Sequence, residues 1–270
     1  MGRERNTYDQ AISRVIASKF GPEGKPKLYI IAVEDAEITP DYLNPLIAKY
    51  EQDFSLRNVH VELIDREEGK TNNSDPKSVY DTIKKFCEEL EKQYDIQEYD
   101  ELWMIIDTDD YNNRKRAISE ILEKCNKNPI YKLCISNPCF EVWLILHFFD
   151  LETSLKDCIP ENKLKPILQG NISENTTLKD YIKNSGIKGR PQTCKKLWKM
   201  IRQSNMIRQN KKLPYEQLIE YIPQAISRAK ILGECNPNDP DYPEHKIGTE
   251  IYKLLEKLTQ LTQMSTNLDS

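Results

Sequence analysis

The sequence predicts an α/β fold, with about four parallel strands flanked by helices and then an all-helical C-terminal extension. Three observations carry this. Short apolar, β-branched or aromatic runs recur through the first 150 residues, helical patterns separate them, and beyond Asp150 no further strand-like run appears. Strands separated by helices of a dozen or more residues imply βαβ crossovers, hence a parallel sheet covered on both faces.

The strand-like runs are Lys27–Val33 (KLYIIAV), 58–64 (NVHVELI), 101–106 (ELWMII) and 130–135 (IYKLCI). The helices between them carry their own signals. Thr39-Pro40 opens residues 39–51 as an N-cap and first-turn pair. Ser74-Asp75-Pro76 opens 75–94, where Val79, Ile83, Phe86 and Leu90 fall at helical spacing. Residues 113–127 form a third helix, and Asn137-Pro138 opens a strongly apolar fourth over 137–149. In the second half, 156–168, 177–183, 193–203, 215–232 and 246–262 read as helices, with a Pro- and Asn-rich break at 236–243. The expected division is an α/β domain over 1–150, opened by an N-terminal helix within 1–26, and a helical extension over 151–270.

Composition removes several function classes. No stretch approaches the ~18 uninterrupted apolar residues of a membrane helix, and the N-terminus lacks the apolar core of a secretory signal, so a cytoplasmic protein is expected. Seven cysteines form no CxxC pair and read as reduced, mostly buried thiols. Three histidines supply a catalytic triad or a His-rich metal site poorly. The chemistry should therefore run on carboxylates.

In an open parallel sheet, ligands bind beyond the carboxyl ends of the strands. The first strand ends in Glu34-Asp35, with Glu37 soon after, and the third in Asp107-Thr108-Asp109-Asp110. Asp107 and Asp109, two apart on extended chain, point the same way and can share a hard cation, with Glu34 on a neighbouring strand completing the set. Carboxylates packed together repel unless a divalent cation neutralises them, which points to Mg²⁺ or Mn²⁺. Asp110 fits either a solvated helix start or a further ligand. Glu141 fits either the first turn of a helix, where the dipole favours it, or a fourth acidic ligand facing the crevice. Trp143 and His147, one turn apart on an apolar helix, read as core.

The total of 39 basic against 43 acidic residues conceals a segregation. Segment 181–213 carries ten basic residues and no Asp or Glu, the electrostatic footprint of phosphate binding. Lys188, Arg190, Lys195, Lys196 and Lys199 are the expected phosphate contacts. Gly186-Ile-Lys-Gly-Arg190 reads as a flexible donor-rich loop, and Trp198 as a stacking face for a base. A solvated helix face or a surface for an acidic protein fits the same residues. An acidic metal site and a basic strip together suggest metal-assisted attack on a phosphodiester.

The residues also carry a resemblance. Glu34 with Pro40-Asp41-Tyr42, then Ser74-Asp75-Pro76, Asp107-x-Asp109-Asp110, and Ile135-Ser-Asn-Pro-Cys-Phe-Glu-Val-Trp-Leu144 with His147-Phe148 resemble the RloB-like proteins. The Ala225-Ile-Ser-Arg-Ala229 and Thr249…Leu254-Leu255 segments resemble that family's helical tail. The family is similar to Toprim domains, which implies a Toprim-like sheet. It also implies that Glu34 acts as general acid/base or metal ligand and that Asp107 and Asp109 hold Mg²⁺. Its association with restriction-modification and abortive-infection loci implies a defence endonuclease. The expected substrate is RNA such as host tRNA, under control of a partner ATPase; a DNA endonuclease and a non-catalytic Toprim-like binding subunit are the alternatives. Where the family usually shows Glu-Gly-x-x-Thr-Glu-Pro, this chain has Asp35 after Glu34 and Ile38-Thr39 before Pro40. Asp35 is expected to reshape the approach or join the metal shell, and Glu37 to offset the lost carboxylate.

Overall fold

The computed structural model describes residues 8–18, 24–64, 75–109, 111–203, 214–233, 235 and 246–263. In chain order the elements are α1 (Tyr8–Ser18), β1 (Lys27–Val33), α2 (Ile38–Leu56), β2 (Val59–Ile64), α3 (Pro76–Leu90), β3 (Glu101–Asp107), α4 (Tyr111–Lys127), β4 (Tyr131–Asn137) and α5 (Glu141–Leu146). There follow α6 (Leu155–Cys158), α7 (Glu161–Leu164), α8 (Leu178–Asn184), α9 (Gly186–Arg202), a 3-10 segment (Tyr215–Tyr221), α10 (Ile222–Leu232), β5 (Gly248–Thr249) and α11 (Ile251–Gln263). The strands form one sheet in the order β2-β1-β3-β4-β5. The α/β architecture is the expected one, with one addition: the two-residue β5, antiparallel to β4. By contact the chain divides into two compact units, Met1–Ile106 with Arg116–Cys134 and Lys253–Ser270, and Asp107–Lys115 with Ile135–Tyr252.

In the first unit β1 runs parallel to both neighbours, with Tyr29 level with Val61 of β2 and with Glu101 of β3. All of β1 except Lys27 is buried, because helices cover the sheet; a strand hidden on both faces reads as an unbroken apolar run. α3 begins at an Asp75 cap whose carboxylate accepts the Ser78 N–H at 3.1 Å, with Pro76 next in line. Its Val79, Ile83, Phe86 and Leu90 are buried. Each such side chain removed from water contributes roughly 1.5–3 kcal/mol.

Two charges are buried at the start of β3, and each is partnered. Asp100, 1% exposed, accepts the Leu28 and Gln97 N–H groups, both at 2.8 Å. Glu101 accepts Lys27 Nζ at 3.0 Å, Lys257 Nζ at 2.7 Å and Trp103 Nε1 at 3.0 Å. Through Lys257 the last helix is tied to the start of β3.

In the second unit the chain departs from the sequence reading in three places. The apolar stretch 137–149 is not one helix: β4 continues to Asn137, the chain turns at Pro138, and α5 spans only Glu141–Leu146. Asn137 does not cap it, since its side chain is engaged elsewhere. Residues 156–168 break into α6, α7 and a 3-10 turn, because Pro160 and Pro166 each remove a helix donor. Gly186-Ile-Lys-Gly-Arg190 is not a loop but the first turns of α9, entered through Gly186 at φ +69°.

Glu101 supplies a stability test. Burial alone would raise its pKa, but the hydrogen-bonded ammonium groups of Lys257 and Lys27 outweigh burial and hold it below the ordinary carboxylate value of 4.5. A lowered folded-state pKa contributes stability that is present above pH 4.5 and lost on acidification. Glu101→Gln should cost about 2 kcal/mol in urea unfolding at pH 7, and the gap to the wild type should close as the pH falls below that value.

Candidate metal and phosphate site

The end of β3 is held to the end of β4 by backbone and side-chain hydrogen bonds. Thr108 N–H donates to the Ser136 carbonyl at 2.9 Å and Asp109 N–H to the Pro138 carbonyl at 2.8 Å. The buried Thr108 hydroxyl donates to Asn137 Oδ1 at 2.8 Å. Asn137 in turn donates from Nδ2 to the Lys246 carbonyl, and Ser136 Oγ lies 2.9 Å from Thr249 Oγ1 of β5. The backbone of the Asp-x-Asp segment is therefore fixed independently of its carboxylates.

Asp109 adopts φ +40°, in the left-handed region that costs most non-glycine residues of order 1 kcal/mol or more and that Asp tolerates best. One of its carboxylate oxygens, Oδ2, pairs with Arg114 Nη2 at 3.2 Å, while Arg114 Nη1 donates to the Asp107 carbonyl at 3.0 Å. The other, Oδ1, is buried and accepts no hydrogen bond among the described residues. An anionic oxygen held in that condition fits a hard cation.

Asp107, Asp109 and Glu141 all act on one ammonium group, that of Lys195 on α9. Partial desolvation of the Lys195 ammonium, whose side chain is otherwise solvent-exposed, lowers its pKa, but the charges of Glu141, Asp109 and Asp107 outweigh that and hold it above the ordinary lysine value. Lys195 therefore stays charged at any working pH. Glu141 itself is 2% exposed in the first turn of α5. Among the described residues no three His, Cys, Asp or Glu side chains form a ready-made metal cage. Mg²⁺ does not need one, since it keeps several waters and is commonly held by one or two carboxylates plus substrate phosphates.

Glu34 belongs to the first unit, where it follows β1, is 5% exposed and donates its N–H to the Ile105 carbonyl at 3.1 Å. Asp110 lies outside the described residues, as do Arg208, Lys211 and Lys212 of the basic segment.

These features meet on a chain whose residues 29–258 match the model of the RloB-like protein family. The chain belongs to the RloB-like family. Comparison with curated proteins and with solved structures gives no match.

In this RloB-like chain Asp35 is accounted for by local structure. Its carboxylate accepts the N–H groups of Glu37, Ile38 and Thr39 at 2.8, 2.7 and 2.6 Å, satisfying the first donors of α2. The departure from glycine supplies a helix cap. Glu37 is exposed.

On α9, Lys188, Lys195, Lys196 and Lys199 are exposed, whereas Arg190 is 6% exposed. Trp198 is not a stacking face: it is 4% exposed and packs parallel to Phe148 at 6.5 Å between ring centroids. With Cys194, Leu197 and Ile201 it forms the helix's buried stripe. Trp143 and His147 are core as expected, 4.9 Å apart edge to face, and burial pushes the His147 pKa down to about 3, so the ring is neutral.

Arg114 escaped the sequence reading. The available signal was an arginine in the first turn of a helix, where the dipole disfavours a cation. The Cys139–Cys194 pair was also missed. Both thiols are wholly buried and hydrogen-bonded to each other, and burial, with Glu141 and Asp107 nearby, pushes Cys139 well above the ordinary thiol value. Because both thiols are shut away from solvent, neither cysteine should react with iodoacetamide in the folded protein at pH 8, and both should react once urea unfolds the chain. Mass spectrometry of labelled peptides reads this directly.

Proposed function

We propose that this RloB-like protein is a metal-dependent phosphodiesterase, a Mg²⁺- or Mn²⁺-dependent endonuclease of a Toprim type acting in antiphage defence. The proposed substrate is RNA such as host tRNA, with a partner ATPase in control. The observation that carries the reading is the buried Asp109 Oδ1, which accepts no hydrogen bond among the described residues, on a carboxylate whose charge reaches the surface lysine of α9. Family membership supports a link to defence.

The division of labour follows from the chemistry of each group. Asp107 and Asp109 are the ligands on β3 and just beyond it, with Asp110 and Glu141 as further acidic groups. A bound Mg²⁺ supplies polarisation of the phosphoryl oxygen and a lower pKa for the attacking water. Lys195, kept protonated by the same carboxylates, offers a fixed positive charge to a phosphate oxygen. Lys188, Lys196 and Lys199 extend that charge along α9, and Glu34 takes the general acid/base role that the resemblance implies. Among the described residues no helix is long and apolar enough to cross a membrane.

Incubation of the purified protein with Mn²⁺ on tRNA, single-stranded RNA and plasmid tests the reading and separates RNA from DNA cleavage. Asp107→Ala, Asp109→Asn and Glu34→Gln should each lower the cleavage rate by about 100-fold or more. The triple variant Lys195→Glu, Lys196→Glu, Lys199→Glu should weaken binding and flatten the slope of log affinity against log salt by about 2 on a single strand. Absence of cleavage of every substrate, with and without an ATPase, would instead support a binding subunit.

A further inference from the structure

We infer that Arg114 is the positioning residue of the metal site: it fixes Asp109 as a ligand through Oδ1 alone. The inference rests on the metal reading proposed above. It comes from how the guanidinium is placed. One arm, Nη1, takes the Asp107 backbone carbonyl at 3.0 Å, and the other, Nη2, takes Asp109 Oδ2 at 3.2 Å. The two acceptors belong to the first and last residues of the Asp-x-Asp segment, so the planar fork spans it like a brace.

A surface ion pair does not explain this arrangement. The Arg114 side chain is only 14% exposed, and half of its fork is spent on a neutral carbonyl. Its place in the first turn of α4 opposes the helix dipole. What the brace achieves is a choice between the two oxygens of Asp109. With Oδ2 occupied by Nη2 and the backbone N–H tied to the Pro138 carbonyl, Oδ1 alone remains to be offered, and it is buried. Mg²⁺ demands near-octahedral geometry, and a carboxylate restricted to one oxygen leaves its remaining positions for water and phosphate. Groups that orient a metal ligand typically matter by 10–100-fold in metal affinity.

The specific geometry separates this role from that of a nearby charge. Lysine keeps the charge but cannot bridge two acceptors as a fork; glutamine keeps hydrogen-bonding capacity and loses the charge. The test is titration of the full chain with Mn²⁺, read by electron paramagnetic resonance of the free ion and by calorimetry, on wild type, Arg114→Lys and Arg114→Gln. Melting curves without metal check that each variant is folded. The positioning role predicts a Kd for Mn²⁺ raised by about tenfold or more in both variants, with lysine giving no rescue. Affinity unchanged in both variants, restored by lysine, or increased by glutamine would overturn the role while leaving the metal site standing. A wild-type chain that binds Mn²⁺ no better than Asp107→Ala, Asp109→Asn would overturn the metal reading and the role of Arg114 with it.

Discussion

The placement of the acidic site depends on the hydrogen bonds that tie the residues after β3 to the residues ending β4. Thr108 and Asp109 surrender their N–H groups to the carbonyls of Ser136 and Pro138, and the Thr108 hydroxyl closes on Asn137. This backbone pinning holds Asp109 at a positive φ without help from its own side chain. Two carboxylates on an unsupported loop would turn outward to water and apart from each other. Here the backbone between them has no such freedom, and cationic side chains act on both residues. Arg114 is one and Lys195 another.

That same action links the two charge populations of the sequence. The basic segment is not electrostatically separate from the acidic residues, because Lys195 belongs to α9 and feels the charges of Asp107, Asp109 and Glu141. One face of α9 buries Cys194, Leu197, Trp198 and Ile201, and the opposite face exposes its lysines. Under the proposed function, a phosphate lying along those lysines would be guided toward the carboxylates proposed to hold the cation. The cavity of about 770 Å³ between α1, α2 and β2, lined by Arg14, Phe54, His60 and Glu62, lies in the other unit and includes none of these groups.

Much of this was legible in the sequence, for physical reasons that also explain the failures. β1 and β3 were readable because burial on both faces demands unbroken apolar runs, and α3 because Asp75-Pro76 and its apolar spacing agree. The place of Asp107 and Asp109 at the end of β3 was readable from the apolar run that precedes them. Asn137-Pro138 misled, because the pair that often starts a helix here ends a strand, and the asparagine side chain serves Thr108. Gly186 and Gly189 suggested a loop, yet the buried Cys194, Leu197 and Ile201 draw the segment into a helix on its own core. Two-residue β5 has too few side chains to leave a pattern. Trp198 misled as a stacking face, although it shares the helical stripe of Cys194 and Ile201 and is buried with them. Arg114 acts through a bridge between a carbonyl and a carboxylate, and such geometry leaves no periodic trace.

The central claim is that Asp109 Oδ1 is the oxygen that meets a divalent cation. The most direct measurement is an anomalous difference map from crystals of the full chain grown with Mn²⁺. The account predicts a peak about 2.1 Å from Asp109 Oδ1, with Oδ2 still paired to Arg114 and Asp107 within the same coordination sphere. A map with no peak there, or a peak elsewhere that leaves Asp109 Oδ1 untouched, would contradict it.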